Sequence, residues 1–298
     1  LLDWLFVGPL RTGVGGAAIA TTISQFAGAF YLYLAVDSTL KRIEEELEWD
    51  GNILPGKEAK EKPKKKSTGL FVIPTTQEFV KFFQFAGPIF LISFGRGYCW
   101  NICTPAAAAA GTIALAAHQI VINIFFFFTI AGESVFQTAQ AFMPEFQEEQ
   151  MRTKAMGGEV HEQATARVRK LAKKILSISA IIGILQSGLS LVPMYMFPGI
   201  FAQDKQVVQA VKDQAFNLAL AIFPHCITIA IEALLLNSKD LDFLGGAYIV
   251  KSVLWTLTLK HFADQHANLN VLWKGMMALQ YIRALVWTLR LILSGKKL

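Results

Sequence analysis

Seven stretches of about 20 mostly apolar residues constrain this chain more than any other feature: 13–36, 82–105, 113–136, 175–197, 214–236, 244–262 and 271–293. A soluble helix alternates apolar and polar residues every three or four positions. Here the segment from Ile113 to Phe136 is apolar nearly all round, with Phe125 to Phe128 consecutive. The pattern predicts an all-α, multi-pass bundle of about seven transmembrane helices. Composition agrees: of 298 residues 53% are hydrophobic and only 17% charged, against roughly 25% charged in soluble domains. Disordered chains, coiled coils and soluble two-domain enzymes are disfavoured on the same ground.

The charges that remain are clustered. The segments 37–81, 137–174, 237–243 and 294–298 hold 19 Lys and Arg, and the alternate connections 1–12, 106–112, 198–213 and 260–274 hold 5. The positive-inside rule then places the first set on the cytoplasm-like side and the N-terminus outside. A net charge of +6 gathered in loops is not the basic face of a nucleic-acid binder. Cys99, Cys103 and Cys226 lie in apolar runs, which fits reduced packing cysteines. Segment 37–81 carries a charged run from Lys41 to Trp49, a low-complexity stretch Lys57–Lys66, and Pro55, Pro63 and Pro74. It reads as a linker with one helix before it and six after, the proportions of one half of a two-lobed transporter. Because the chain opens at Leu1 inside an apolar run, it is expected to be a fragment.

Two spans carry polar residues on one side. Along 113–141, His118, Gln119, Asn123, Thr129, Glu133, Gln137 and Gln140 fall within an arc of about 140° at 100° per residue. Along 214–236, Gln214, Asn217, His225, Thr228 and Glu232 fall within about 80°. Polar side chains in hydrocarbon face the bundle interior or water. An interhelical hydrogen-bond seam and the wall of a substrate cavity both satisfy that requirement, and both readings stand. Pro224, beside His225, is expected to open the backbone locally. His225 and Glu232 on one face are candidate proton carriers. Arg96, deep in the span 82–105, calls for a carboxylate such as Glu133 or for an anionic ligand. The run from Gly13 to Ala18 imitates a dinucleotide fingerprint without the strand such a site needs, so close helix packing explains it better. His261, Asp264 and His266 lack a further convergent ligand, and no metal site is expected.

Four segments carry a family resemblance. Gly13 to Gln25 (GVGGAAIATTISQ) resembles the sixth-helix signature of the multidrug and toxic compound extrusion family. Leu115 to Ile120 (LAAHQI) is similar to that family's eighth-helix motif. Gly132 to Glu145 (GESVFQTAQAFMPE) and Glu232 to Phe243 (EALLLNSKDLDF) resemble its plant plastid branch, related to the bacterial DNA-damage-inducible F type.

The resemblance implies a twelve-helix, two-lobed antiporter that exports organic solutes in exchange for protons or sodium. Residues 1–36 would be a remnant of the first lobe, 37–81 the interlobe loop, and 82–298 the six-helix second lobe. The partners would be a small organic solute, the lipid bilayer and the missing first lobe of the same chain. No cofactor and no nucleic acid is expected. For location the resemblance to that branch points to a plastid envelope, with the plasma membrane or another organelle membrane as the alternatives. In proton-coupled relatives the coupling aspartate lies on the first helix, which has no counterpart here. Other branches place carboxylates on the seventh and midway along the tenth helix. Here 82–105 has no acidic residue and His225 stands near the tenth-helix position, which favours protons over a sodium site in this lobe. The cavity residues expected are Arg96, His118, Gln119, Asn123, Glu133, Gln137, Asn217, His225 and Glu232. Arg96 and His225 lean toward organic anions. The alternative is a polytopic membrane enzyme or lipid-linked-substrate flippase working through His118, Glu133 and Glu232.

Overall fold

The computed structural model describes residues 5–6, 9–10, 12–51, 75–155, 157–265 and 268–294. The described residues form nine helices of note and no strand: α1 (Gly13–Gly51), α2 (Thr76–Asn101), α3 (Cys103–Ala109), α4 (Thr112–Lys154), α5 (Gly158–Met196), α6 (Pro198–Phe201), α7 (Lys205–Asn237), α8 (Leu241–Asp264) and α9 (Leu269–Ser294). Five of them, α1, α4, α5, α7 and α9, are long and apolar enough to cross a membrane. The other two expected spans fold as α2 and α8, of 26 and 24 residues. At 1.5 Å per residue they are about 39 and 36 Å long, enough for a hydrocarbon core of about 30 Å, although Arg96 lies in the last third of α2 and Lys251 near the middle of α8.

The chain divides into two compact units, Leu1–Glu78 and Phe79–Leu298. In the first, α1 is exposed along nearly its whole apolar length, with Phe26, Phe30, Tyr31 and Leu32 more than 60% accessible. Gly16 and Ala20 are buried on it among the described residues. Thr75 caps the following helix reciprocally: its amide and hydroxyl both donate to Glu78 Oε2 at 2.8 Å. Those hydrogen bonds hold the Glu78 carboxyl below its ordinary range.

In the second unit α7 is the hub. Of its most apolar window 83% is buried, against 39% for α4 and 28% for α5. Glycines bring the neighbours close. A Cβ on Gly132 of α4 would lie 3.2 Å from Cys226 Sγ, and one on Gly183 of α5 only 2.9 Å from the Phe223 carbonyl. The polarity is inverted relative to a soluble bundle. The exposed faces are stripes of large apolar residues, such as Ile178, Ile181, Leu185 and Leu189 on α5 and Ile282, Leu285 and Leu289 on α9. Buried between the helices lie Ser179, Gln186, Ser190, Gln214, His225, Glu232, Gln280 and Arg283. Contiguous apolar faces of this extent are too costly in water and are at home in lipid.

The helix ends depart from the sequence reading. Residues 37–51, expected within the interlobe loop, continue α1. Residues 137–174, expected as a connection, extend α4 to Lys154 and start α5 at Gly158. Runs of Glu, Lys, Arg and Gln are strong helix formers, so the helices propagate beyond the apolar window. Gly157 and Gly158 turn the chain there with φ of +62° each, a conformation glycine adopts without strain. The span expected to 105 ends at Asn101 and resumes as α3, before Gly111 at φ +112°. Pro224 does not open α7, which is helical throughout, and Thr228 Oγ1 donates to the Pro224 carbonyl at 2.6 Å. The low-complexity stretch Lys57–Lys66, with Pro55, Pro63 and Pro74, and the tail from Gly295 lie outside the described residues.

Candidate functional site: charged networks inside the bundle

Three helices bring their ionisable side chains to one point. Arg96 of α2 donates from Nη1 to both oxygens of Glu133 on α4, at 3.2 and 3.4 Å, and from Nη2 to Oε1 of Glu232 on α7 at 2.8 Å. Tyr248 of α8 donates its hydroxyl to Glu232 Oε2 at 2.6 Å. Phe136 places its ring 5.3 Å from the guanidinium. Accessibility is graded along the network: 40% for the Glu133 side chain, 21% for Arg96 and none for Glu232. A buried carboxylate is therefore linked through one cation to a carboxylate that reaches the surface. Charge-assisted pairs of this kind stabilise only while both signs are present.

A second polar centre lies two turns earlier along the same helix, α7. Gln280 Nε2 and Arg283 Nη2, both on α9, each lie 3.1 Å from His225 Nδ1. Both partners are donors, so Nδ1 accepts and the neutral ring carries its proton on Nε2. Phe125 and Trp100 pack their rings 5.1 and 6.2 Å from the imidazole. His225 and Glu232, grouped as proton carriers on helical angle, thus belong to different networks. Nearer the start of α7, Asn217 donates to Gln214 Oε1 at 3.0 Å and to Asn270 Oδ1 at 2.9 Å.

The long polar stripe of α4 is split. His118 and Thr129 are buried, while Gln119, Asn123 and Gln137 are exposed. Gln140 Nε2 donates to the Ala233 carbonyl of α7 at 3.1 Å. An arc of about 140° is wider than the face one helix presents to its neighbours, so only its inner edge is covered. The outer residues do not join the charged network. Asn123 instead lines a groove of about 740 Å³ with Phe127, Leu189, Val192 and Phe201. His118 packs against Trp273, ring centres 5.7 Å apart, and neither of its nitrogens nor Trp273 Nε1 has a hydrogen-bond partner.

Several members escaped the sequence reading. Tyr248 carries no signal in a string of apolar residues. Gln280 and Arg283 share a helix face at a spacing of three, a signal present but unused. Arg290 clamps the α7–α8 turn through two bonds to Asp240, at 2.6 and 2.8 Å. Among the described residues no group of three or more His, Cys, Asp or Glu could hold a metal ion. His261 and Asp264 are exposed at the end of α8, and His266 lies outside the described residues.

No protein-family model matches the chain, and no solved structure does. The chain is similar to Protein DETOXIFICATION 47, chloroplastic, of Arabidopsis thaliana, with 26% identity over 286 residues. The alignment covers 96% of this chain and 46% of that protein, so the chain spans less than half the length of the curated relative it matches.

Proposed function

We propose that the chain forms the second lobe of a secondary antiporter of the multidrug and toxic compound extrusion family, exporting organic solutes by alternating access between two lobes. The Arg96–Glu133–Glu232 network carries the reading. It joins α2, α4 and α7 through a charge balance that one proton changes. Protonating Glu133, the more accessible carboxylate, removes one of the two negative charges that face Arg96 and loosens the hold of α4 on α2. Re-ionisation draws them together again. A two-state contact of this type is what an ion-coupled rocking lobe requires.

Arg96 occupies the space between the carboxylates, so the resident cation is a guanidinium. That arrangement favours protons over sodium as the coupling ion. The excess of buried cations supports organic anions as substrates. Similarity to a relative whose name includes "chloroplastic" supports a plastid membrane, and the clustering of basic residues supports residues 37–81 and 137–174 facing the cytoplasm-like side. The reading as a membrane enzyme has less support, because His118, Glu133 and Glu232 do not meet as acid, base and nucleophile.

The test uses full-length protein in proteoliposomes with an imposed pH gradient, with benzoate and tetraethylammonium as test anion and cation. Glu133→Gln is expected to lower solute-dependent proton flux at least tenfold, and His225→Ala to lower it several-fold, with membrane insertion retained. Unchanged flux in both variants would remove these residues from the mechanism. Flux driven by tetraethylammonium but not by benzoate would overturn the anion assignment.

A further inference from the structure

A groove of about 840 Å³ between α8 and α9 contains three side chains that the antiport network does not use. Its mouth is apolar: Val250, Leu254 and Ile282 are 58–59% accessible, and Val286 is 37% accessible. Its polar wall consists of donors. Arg283 is 97% buried, with Nη2 engaged by neutral His225 and Nε without a partner. Trp287 is 98% buried, and its Nε1 has no partner either. Half-buried Lys251 sits 4.2 Å above the Tyr248 ring.

The acceptors nearby are committed or remote. Glu232 is taken by Arg96 and Tyr248. Asp242 lines the far end of the groove, nine residues before Lys251 and so about 14 Å along α8. The groove therefore presents two cations and an indole N–H, with no carboxylate paired to any of them among the described residues. An unpaired cation inside a membrane bundle is costly, and an occupant that brings an anionic acceptor removes the imbalance.

Depth selects the occupant. Lys251 and Arg283 lie 10 and 11 residues from the nearer helix ends, Leu241 and Ser294, so both sit about 15 Å from the nearer end and close to the middle of the span. A phospholipid phosphate stays at the interface of a core about 30 Å thick and does not reach this level. A single-chain organic acid does, because its neutral form dissolves in hydrocarbon. We propose that the α8–α9 groove binds an amphiphilic organic acid, with its carboxylate held by Lys251, Arg283 and Trp287 and its apolar body against Val250, Leu254, Ile282 and Val286. The inference rests on the chain lying in a membrane. It does not depend on the antiport mechanism, and it is tested by binding rather than flux.

The probe is 11-(dansylamino)undecanoic acid added to full-length protein in detergent, read by energy transfer from tryptophan. Saturable binding is expected, with free palmitate as a competitor. Lys251→Gln should weaken it at least tenfold and Trp287→Phe several-fold, the second variant preserving the packing. The methyl ester of the probe should bind at least tenfold more weakly than the acid. Arg152→Gln, remote and exposed, should leave affinity unchanged. Equal affinity for acid and ester, or for wild type and both groove variants, overturns the proposal. So does equal weakening by Arg152→Gln, which would mean diffuse charge attraction. Displacement by phosphatidic acid as effective as by palmitate would overturn it in favour of an anionic phospholipid.

Discussion

Arg96 and Arg283 are the same residue in the same bundle, yet their surroundings are opposite. Arg96 faces two carboxylates and a cation–π partner. Arg283 is more deeply buried, and the acceptor it meets is a neutral imidazole. Burial of a charge is tolerated when opposite charge shares the site and is otherwise a standing cost. The first arginine is thus a charge-balanced contact. The second has no carboxylate paired to it among the described residues.

The sharpest way to break the comparison is to remove each charge in turn and follow thermal unfolding in detergent. Arg96→Met leaves Glu232 buried without its cation and should cost about 3–5 kcal/mol; a loss under 1 kcal/mol would mean the network is not closed. Tyr248→Phe removes one donor to the same carboxylate and should cost about 1.5–3 kcal/mol. Its purpose is to separate the hydrogen bond from the ion pair. Arg283→Met is expected to change stability by less than about 1 kcal/mol in either direction, because no carboxylate is orphaned by it. A cost as large as that of Arg96→Met would show that Arg283 has a charged partner after all and erase the distinction. The smallest effect belongs to Arg152→Ala. Its pair with Glu148 is exposed on both sides, and about 0.3–0.5 kcal/mol is the ceiling for such an i,i+4 contact. If that surface pair matched the buried one, burial would not be the deciding variable.

The seven apolar segments were readable as helices because transfer of each residue into hydrocarbon depends little on what it later touches. Helix ends were not readable from hydropathy. Lys41 to Trp49 is too charged for a membrane, yet those residues continue α1, since lipid compatibility and helix propensity are separate properties. The inward faces of α4 and α7 were partly readable. His118, His225 and Glu232 are buried as their helical angles imply, while Gln119, Asn123 and Gln137 on the same stripe are exposed. Angle alone gives a direction, and the width of the buried sector depends on how many neighbours arrive. Arg96 was matched to Glu133 from depth in adjacent spans. Its second partner, Glu232, is 136 residues away, and no local pattern announces it.

Periodicity, apolar length and charge clustering therefore prescribe an all-helical membrane bundle with charged groups held inside it. They also say that each such group must find a partner. Which partner it finds is decided by how the helices pack around α7, closely at Gly132 of α4 and Gly183 of α5, where the missing side chains let backbones approach. The packing of α2, α8 and α9 against α7 sets Glu232 beside Arg96 and Tyr248, and His225 beside Arg283. The physical reason is range. Hydrophobic transfer acts residue by residue, whereas a hydrogen bond requires two atoms within about 3 Å, a condition met only when distant helices have packed.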